Sequence, residues 1–139
     1  MRVCLDTNVL VAAFATRGLC ADVLRTVLAE HELILGEVIL REFRQTLTRK
    51  LKAPPDRIAA AEAVLAAFPV RPKPSEPAAL PVRDPSDRWV LATAIAGGAD
   101  VLVTGDRDLL AVRAQSPVRI VDPRAFWELL RATAPGSPP

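Results

Sequence analysis

The chain has 139 residues, 50% of them hydrophobic, which is the length of one ordinary domain with a continuous core, and a second domain is not expected. Its 18 basic and 16 acidic residues leave a net charge of +2, too even a balance to announce nucleic-acid binding by itself. Two cysteines, Cys4 and Cys20, imply no disulfide framework and fit a reducing cytosol, while the lone histidine, His31, excludes a His-rich zinc site.

In chain order, Val3 to Leu5 reads as a short strand, and Asp6 interrupts the hydrophobic run too early for a signal peptide. A cytoplasmic protein is therefore expected. Asn8 to Ala15 and Ala21 to Ala29 read as helices, the second with Val23, Leu24, Val27 and Leu28 at helical spacing and His31 near its end. Glu32 to Leu35 is a strand closed by Gly36. From Glu37 to Leu51 the apolar positions Ile39, Leu40, Phe43, Leu47 and Leu51 predict one helix, stopped by Pro54 and Pro55. An Ala-rich helix follows over Asp56 to Phe68. Prolines 69, 72, 74, 77, 81 and 85 make the next stretch an extended, solvated connection, with one edge-like strand near Val70.

Asp84-Pro85-Ser86-Asp87 opens a helix that Gly97-Gly98 closes. Val101 to Val103 is the next strand, Leu109-Leu110 an apolar turn, Val118 to Val121 the last strand and Pro123 to Arg131 the last helix. Residues 134–139 read as a disordered tail, leaving 1–133 as the domain. Short strands alternating with helices, without a tight hairpin signal, predict a parallel sheet flanked by helices.

Acidic residues end two of the strands. Asp6 and Asp106 both follow a strand core, and in an open parallel sheet the reactive crevice lies beyond the carboxyl ends of the strands. Gly105 allows a tight turn that presents Asp106. Thr7, Asn8 and Thr104 can support a carboxylate by hydrogen bonds, although Asp6, Thr7 and Asn8 are equally good helix caps. Glu42 flanks an apolar stripe, where a surface Glu paired with Arg is the simpler reading. Capping explains Asp84 fully and Asp87 less well. Carboxylates gathered in one place repel, and for an all-oxygen cluster the usual compensation is Mg²⁺ or Mn²⁺.

As a set, Leu5-Asp6-Thr7-Asn8, Glu42 within a helix, Asp87 followed by Leu91-Ala92-Thr93-Ala94, and Val103-Thr104-Gly105-Asp106-Arg107-Asp108 resemble the PIN-domain ribonucleases. Among these the chain is most similar to the VapC-like toxins of type II toxin–antitoxin pairs. The resemblance implies a Rossmann-like three-layer α/β/α sandwich with a short central parallel sheet, a bound Mg²⁺ or Mn²⁺ and endonucleolytic cleavage of RNA. It places the family's four catalytic acids on Asp6, Glu42, Asp87 and Asp106, with Asp6, Asp87 and Asp106 as metal ligands. Asp108 is a second candidate for the fourth position, and Asp84 a secondary acid.

The resemblance further implies a small antitoxin partner, and a second copy of the chain is another candidate partner. Arg41, Arg88 and Arg107 are candidate substrate-binding residues by their proximity in sequence to the acids. Two rivals stand beside this reading. A haloacid-dehalogenase-type phosphatase wants Asp-x-Asp where this chain has Asp6-Thr7-Asn8, and a catalytically idle RNA-binding or scaffold module would need no metal.

Overall fold

The computed structural model describes residues 1–133; the expected disordered tail, 134–139, lies outside the described residues. Among these, five strands, β1 (Arg2–Leu5), β2 (Glu32–Gly36), β3 (Val70–Arg71), β4 (Val101–Val103) and β5 (Arg119–Val121), form one sheet in the order β3-β2-β1-β4-β5. Every pairing is parallel. Seven helices flank the sheet: α1 (Thr7–Ala15), α2 (Leu19–Glu30), α3 (Glu37–Gln45), α4 (Pro55–Leu65), α5 (Pro85–Ala96), α6 (Arg107–Ala111) and α7 (Pro123–Thr133). The result is the expected three-layer α/β/α sandwich. No single helix among the described residues is long and apolar enough to cross a membrane.

The central strands are covered on both faces, which is why they read as uninterrupted apolar runs instead of alternating ones. Val3, Cys4, Leu5, Val101, Leu102 and Val103 are all buried, with Phe43 and Phe126 the largest side chains packed among the core residues. Burial pushes the Cys4 thiol up to about 12, and both cysteines are free thiols. His31 caps the end of α2, with Nδ1 3.1 Å from the N-terminal amine. Since β2 begins at the next residue, this places it at the amino ends of the strands.

Most element boundaries lie within two or three residues of the sequence reading, with three informative differences. The helix expected from Glu37 to Leu51 is α-helical only to Gln45; Thr46–Lys50 is a π-helical turn, with Leu51 N–H donating to the Thr46 carbonyl at 3.1 Å. The apolar turn at Leu109-Leu110 is the short helix α6, started by Asp106. The Pro-rich connection does carry a parallel edge strand, Val70–Arg71, but it is not simply solvated. Val82 is fully buried and Ala78 nearly so, and Ala78 N–H donates to the Arg88 carbonyl at 3.0 Å. Proline removes donors from this segment, but its apolar side chains still have a core to enter.

α5 lies unusually close to the sheet at one point. A Cβ on Gly36, the last residue of β2, would overlap the Thr93 methyl of α5. This close approach positions the first turn of the same helix, and with it Asp87, beyond the carboxyl ends of the strands.

Candidate active site

Asp6 follows β1 and its backbone N–H donates to the Val103 carbonyl at 2.9 Å, so the two central strands are tied together at this residue. Its side chain is 3% exposed. Oδ1 accepts from Thr7 N–H at 2.7 Å, and Oδ2 accepts from the Thr104 hydroxyl at 2.7 Å. Asp6 is thus both the cap of α1 and a carboxylate held at a fixed angle. Burial raises its pKa and the neighbouring Asp106 adds to the rise, while the bonds from Thr104 and Thr7 act against it.

Thr104, fully buried after β4, serves both acids at once. Its hydroxyl donates to Asp6 and accepts from Asp106 N–H at 3.0 Å. Asp106 in turn caps α6, accepting from Asp108 N–H at 2.8 Å. Glu42, half-buried on α3, accepts at Oε2 from the Thr7 hydroxyl at 2.9 Å. Burial raises its pKa, the Thr7 bond lowers it, and Asp6 and Asp84 raise it further. A threonine next to each strand-end acid therefore orients a carboxylate contributed from elsewhere in the chain.

Asp87 is 8% exposed, in the first turn of α5. Its carboxyl is pushed up to about 8 by burial first, then by the charge of Asp106 and a hydrogen bond with it, and by Asp6 and Asp84. Its Oδ2 is buried without a hydrogen-bond partner. Asp84 differs: its carboxylate accepts from both N–H and hydroxyl of Ser86, caps α5, and is held below the usual carboxylate range by those bonds.

These acids line one cleft of about 500 Å³, together with Thr7, Asn8 and Ser86. Oxygens of Asp87, Asp106 and Asp108 lie within 4.8 Å of one another. None of these carboxylates forms an ion pair with Lys or Arg among the described residues. Crowded carboxylates without cationic partners, one of them with an orphaned buried oxygen, suit a hard divalent cation, which takes oxygen ligands and supplies the missing positive charge.

The three arginines singled out by sequence proximity are not among the residues that line this cleft. Arg88 donates from Nε to the Val82 carbonyl at 3.0 Å, and Arg41 and Arg107 are exposed outside the cleft lining. The cations that do line the cleft are Arg49 and Lys50, from the π-helical turn. Sequence reasoning missed them because it weighed arginines by their proximity in sequence to the acids. The signal available covered only Arg49, which seven residues after Glu42 falls on Glu42's own face of a regular helix; Lys50 does not.

Among known proteins, the family model described as PIN domain matches residues 2–108. Three solved structures share the fold. One is VapBC2 from Rickettsia felis bound to a DNA fragment from their promoter, with TM-score 0.62 and 15% identity, covering 88% of this chain and 98% of that one. VapBC-1 from nontypeable Haemophilus influenzae gives TM-score 0.61 and 18% identity over 89% of this chain and 99% of that one. FitAcB from Neisseria gonorrhoeae gives 0.58 and 17% over 88% and 98%. No curated protein matches the chain.

Proposed function

The chain belongs to the PIN-domain family, and on that premise we propose that it is a metal-dependent endoribonuclease acting as the toxin of a toxin–antitoxin pair. The observation that carries the catalytic part is Asp87: a buried carboxylate with a partnerless Oδ2, packed against Asp106 and Asp108 and far from its ordinary protonation range. Such an arrangement is costly unless a cation completes it. Asp87, Asp106 and Asp108 would hold Mg²⁺ or Mn²⁺, with Asp6 beside them. When bound, the ion would neutralise charge on phosphoryl oxygens and acidify water.

The chain's own residues account for the rest. Thr104 fixes Asp6 and, through the Asp106 backbone, the other strand-end acid, so the two cannot drift apart. Thr7 fixes Glu42 at Oε2, and no other hydrogen bond engages Oε1 among the described residues. With its pKa raised, Oε1 is suited to take a proton from water attacking a phosphodiester in the cleft. Attack by water, in place of the RNA's own 2′-hydroxyl, with the 3′ oxygen as leaving group would leave a 3′-hydroxyl on the upstream fragment and a 5′-phosphate on the downstream one.

The phosphatase alternative requires an acid at position 8, where the structure has an exposed Asn8. The idle-module alternative leaves the uncompensated carboxylates without a purpose. The antitoxin partner is supported by the fold shared with the VapBC and FitAcB structures. The test is cleavage of an RNA panel by the purified protein with and without Mn²⁺, beside Asp6→Asn. Metal-dependent cleavage lost in the variant is expected; full activity in Asp6→Asn with its fold intact would refute the assignment.

A further inference from the structure

Beside the carboxylates, the cleft lining includes a stretch of different chemistry. It is formed by Gln45, Thr46, Arg49 and Lys50, from the end of α3 and the π-helical turn that follows it. An α-helix continued from Glu42 would rotate Lys50 toward Leu47 and the core. The wider turn, bonded from Thr46 to Leu51, retards that rotation and keeps Lys50 on the face of Glu42 and Thr46. Single π-helical turns within helices occur frequently at functional sites.

The turn is closed by Lys52, a non-glycine residue in the left-handed region at φ 49°, with Ala53 N–H on the Leu47 carbonyl at 2.9 Å. An unfavoured backbone conformation is retained when the surrounding structure holds it there.

Arg49 and Lys50 border an acidic cleft, yet neither pairs with a carboxylate within 4.0 Å; Arg44, on the preceding turn, does pair with Glu62 at 3.9 Å. Cations placed to neutralise Asp6, Glu42 or Asp87 would be in contact with them. Exposed cations that line the same cleft as a cation-binding cluster without pairing with it instead fit an anion that reaches both. A nucleic-acid strand is such an anion, with a phosphate at every nucleotide.

We propose that Arg49 and Lys50, presented by the π-helical turn, bind the phosphates flanking the one cleaved in an RNA strand lying across this cleft. This rests on the ribonuclease reading above and deepens it by assigning the substrate grip to residues other than Arg41, Arg88 and Arg107. Contacts of this kind position the strand without reading its sequence. The cleft lining divides the work: the carboxylates act on one phosphate, and the turn holds its neighbours.

The test is steady-state cleavage of a short fluorogenic single-stranded RNA with Mn²⁺ over a range of salt concentrations, using Arg49→Gln/Lys50→Gln. Loss of two phosphate contacts is expected to raise KM on the order of tenfold and to make the logarithmic salt dependence of kcat/KM shallower by about 1.4, at about 0.7 per contact on a single strand. At saturating RNA, kcat stays near that of the unaltered protein, and Mn²⁺ still raises the melting temperature. The pair Arg49→Lys/Lys50→Arg recovers the salt dependence. Arg25→Gln, a surface cation paired with Asp22 on α2, changes neither quantity.

Unchanged KM and salt dependence in the double variant, with the unaltered protein cleaving normally, would overturn this proposal and leave the ribonuclease reading standing. A fall in kcat at constant KM would overturn it as well, since the cations would then be serving the carboxylates. If the unaltered protein neither cleaves RNA nor responds to Mn²⁺, the ribonuclease reading itself falls, and this proposal with it.

Discussion

Asp87→Asn is expected to weaken the enzyme and strengthen the fold. In the metal-free protein the Asp87 carboxyl is raised from 3.8 to about 8, whereas the unfolded chain ionises it in the ordinary range. A group whose folded pKa is raised favours the folded state below its unfolded pKa. That advantage is lost progressively as pH climbs from about 4 toward 8. The full shift would correspond to roughly 5–6 kcal/mol at about 1.4 kcal/mol per unit. Although Asp87 is only 8% exposed, it faces an open polar cleft, and screening there reduces the expected effect to about 1–3 kcal/mol. Asparagine keeps the shape, removes the charge and can donate to Asp106.

Thermal unfolding in EDTA should therefore show Asp87→Asn melting above the unaltered protein by roughly 3–9 °C at pH 8, with the gap closing toward pH 4. Excess Mn²⁺ should reverse the order, because binding stabilises only the chain that retains the ligand. A variant no more stable than the unaltered protein in EDTA, across this whole pH range, would mean that the carboxylates are not electrostatically crowded.

Two further substitutions probe how the site is held. Thr104→Val keeps the shape but leaves Asp6 Oδ2 buried without its donor; a loss of about 1–3 kcal/mol in urea denaturation is expected, together with reduced cleavage, and a change within experimental error would mean that the hydroxyl is dispensable. Gly36→Ala should destabilise by about 1–3 kcal/mol through overlap with the Thr93 methyl. Adding Thr93→Ser, which deletes that methyl, should restore much of the loss, and no recovery in the double variant would show that the strain lies elsewhere.

Particular residues show why some of this was legible in one dimension. Val3-Cys4-Leu5 and Val101-Leu102-Val103 are short, continuously apolar and followed by Asp, so strand, burial and placement of Asp6 and Asp106 at the same sheet edge could all be read from local pattern. Alternation with helices predicted the parallel sheet. Glu42 was harder, because its neighbours on the helix allow a surface pair equally well; only Thr7, thirty-five residues away, draws it to the cleft. The sequence reading of Arg88 as a substrate contact relied on proximity along the chain, yet its guanidinium serves the backbone of the Pro-rich segment.

By itself, the order of residues determined the fold class, the strand ends that carry acids and the helix starts at Asp84 and Pro85, because hydrophobic periodicity, capping and proline geometry act over a few residues. Tertiary structure alone decided that Asp87 Oδ2 is buried without a hydrogen-bond partner, that Asp87 and Asp108 gather with Asp106, and that a π-helical turn brings Arg49 and Lys50 to the cleft. Those outcomes depend on desolvation and on the rotation of one segment against another, which are properties of the packed molecule and have no counterpart in spacing along the chain.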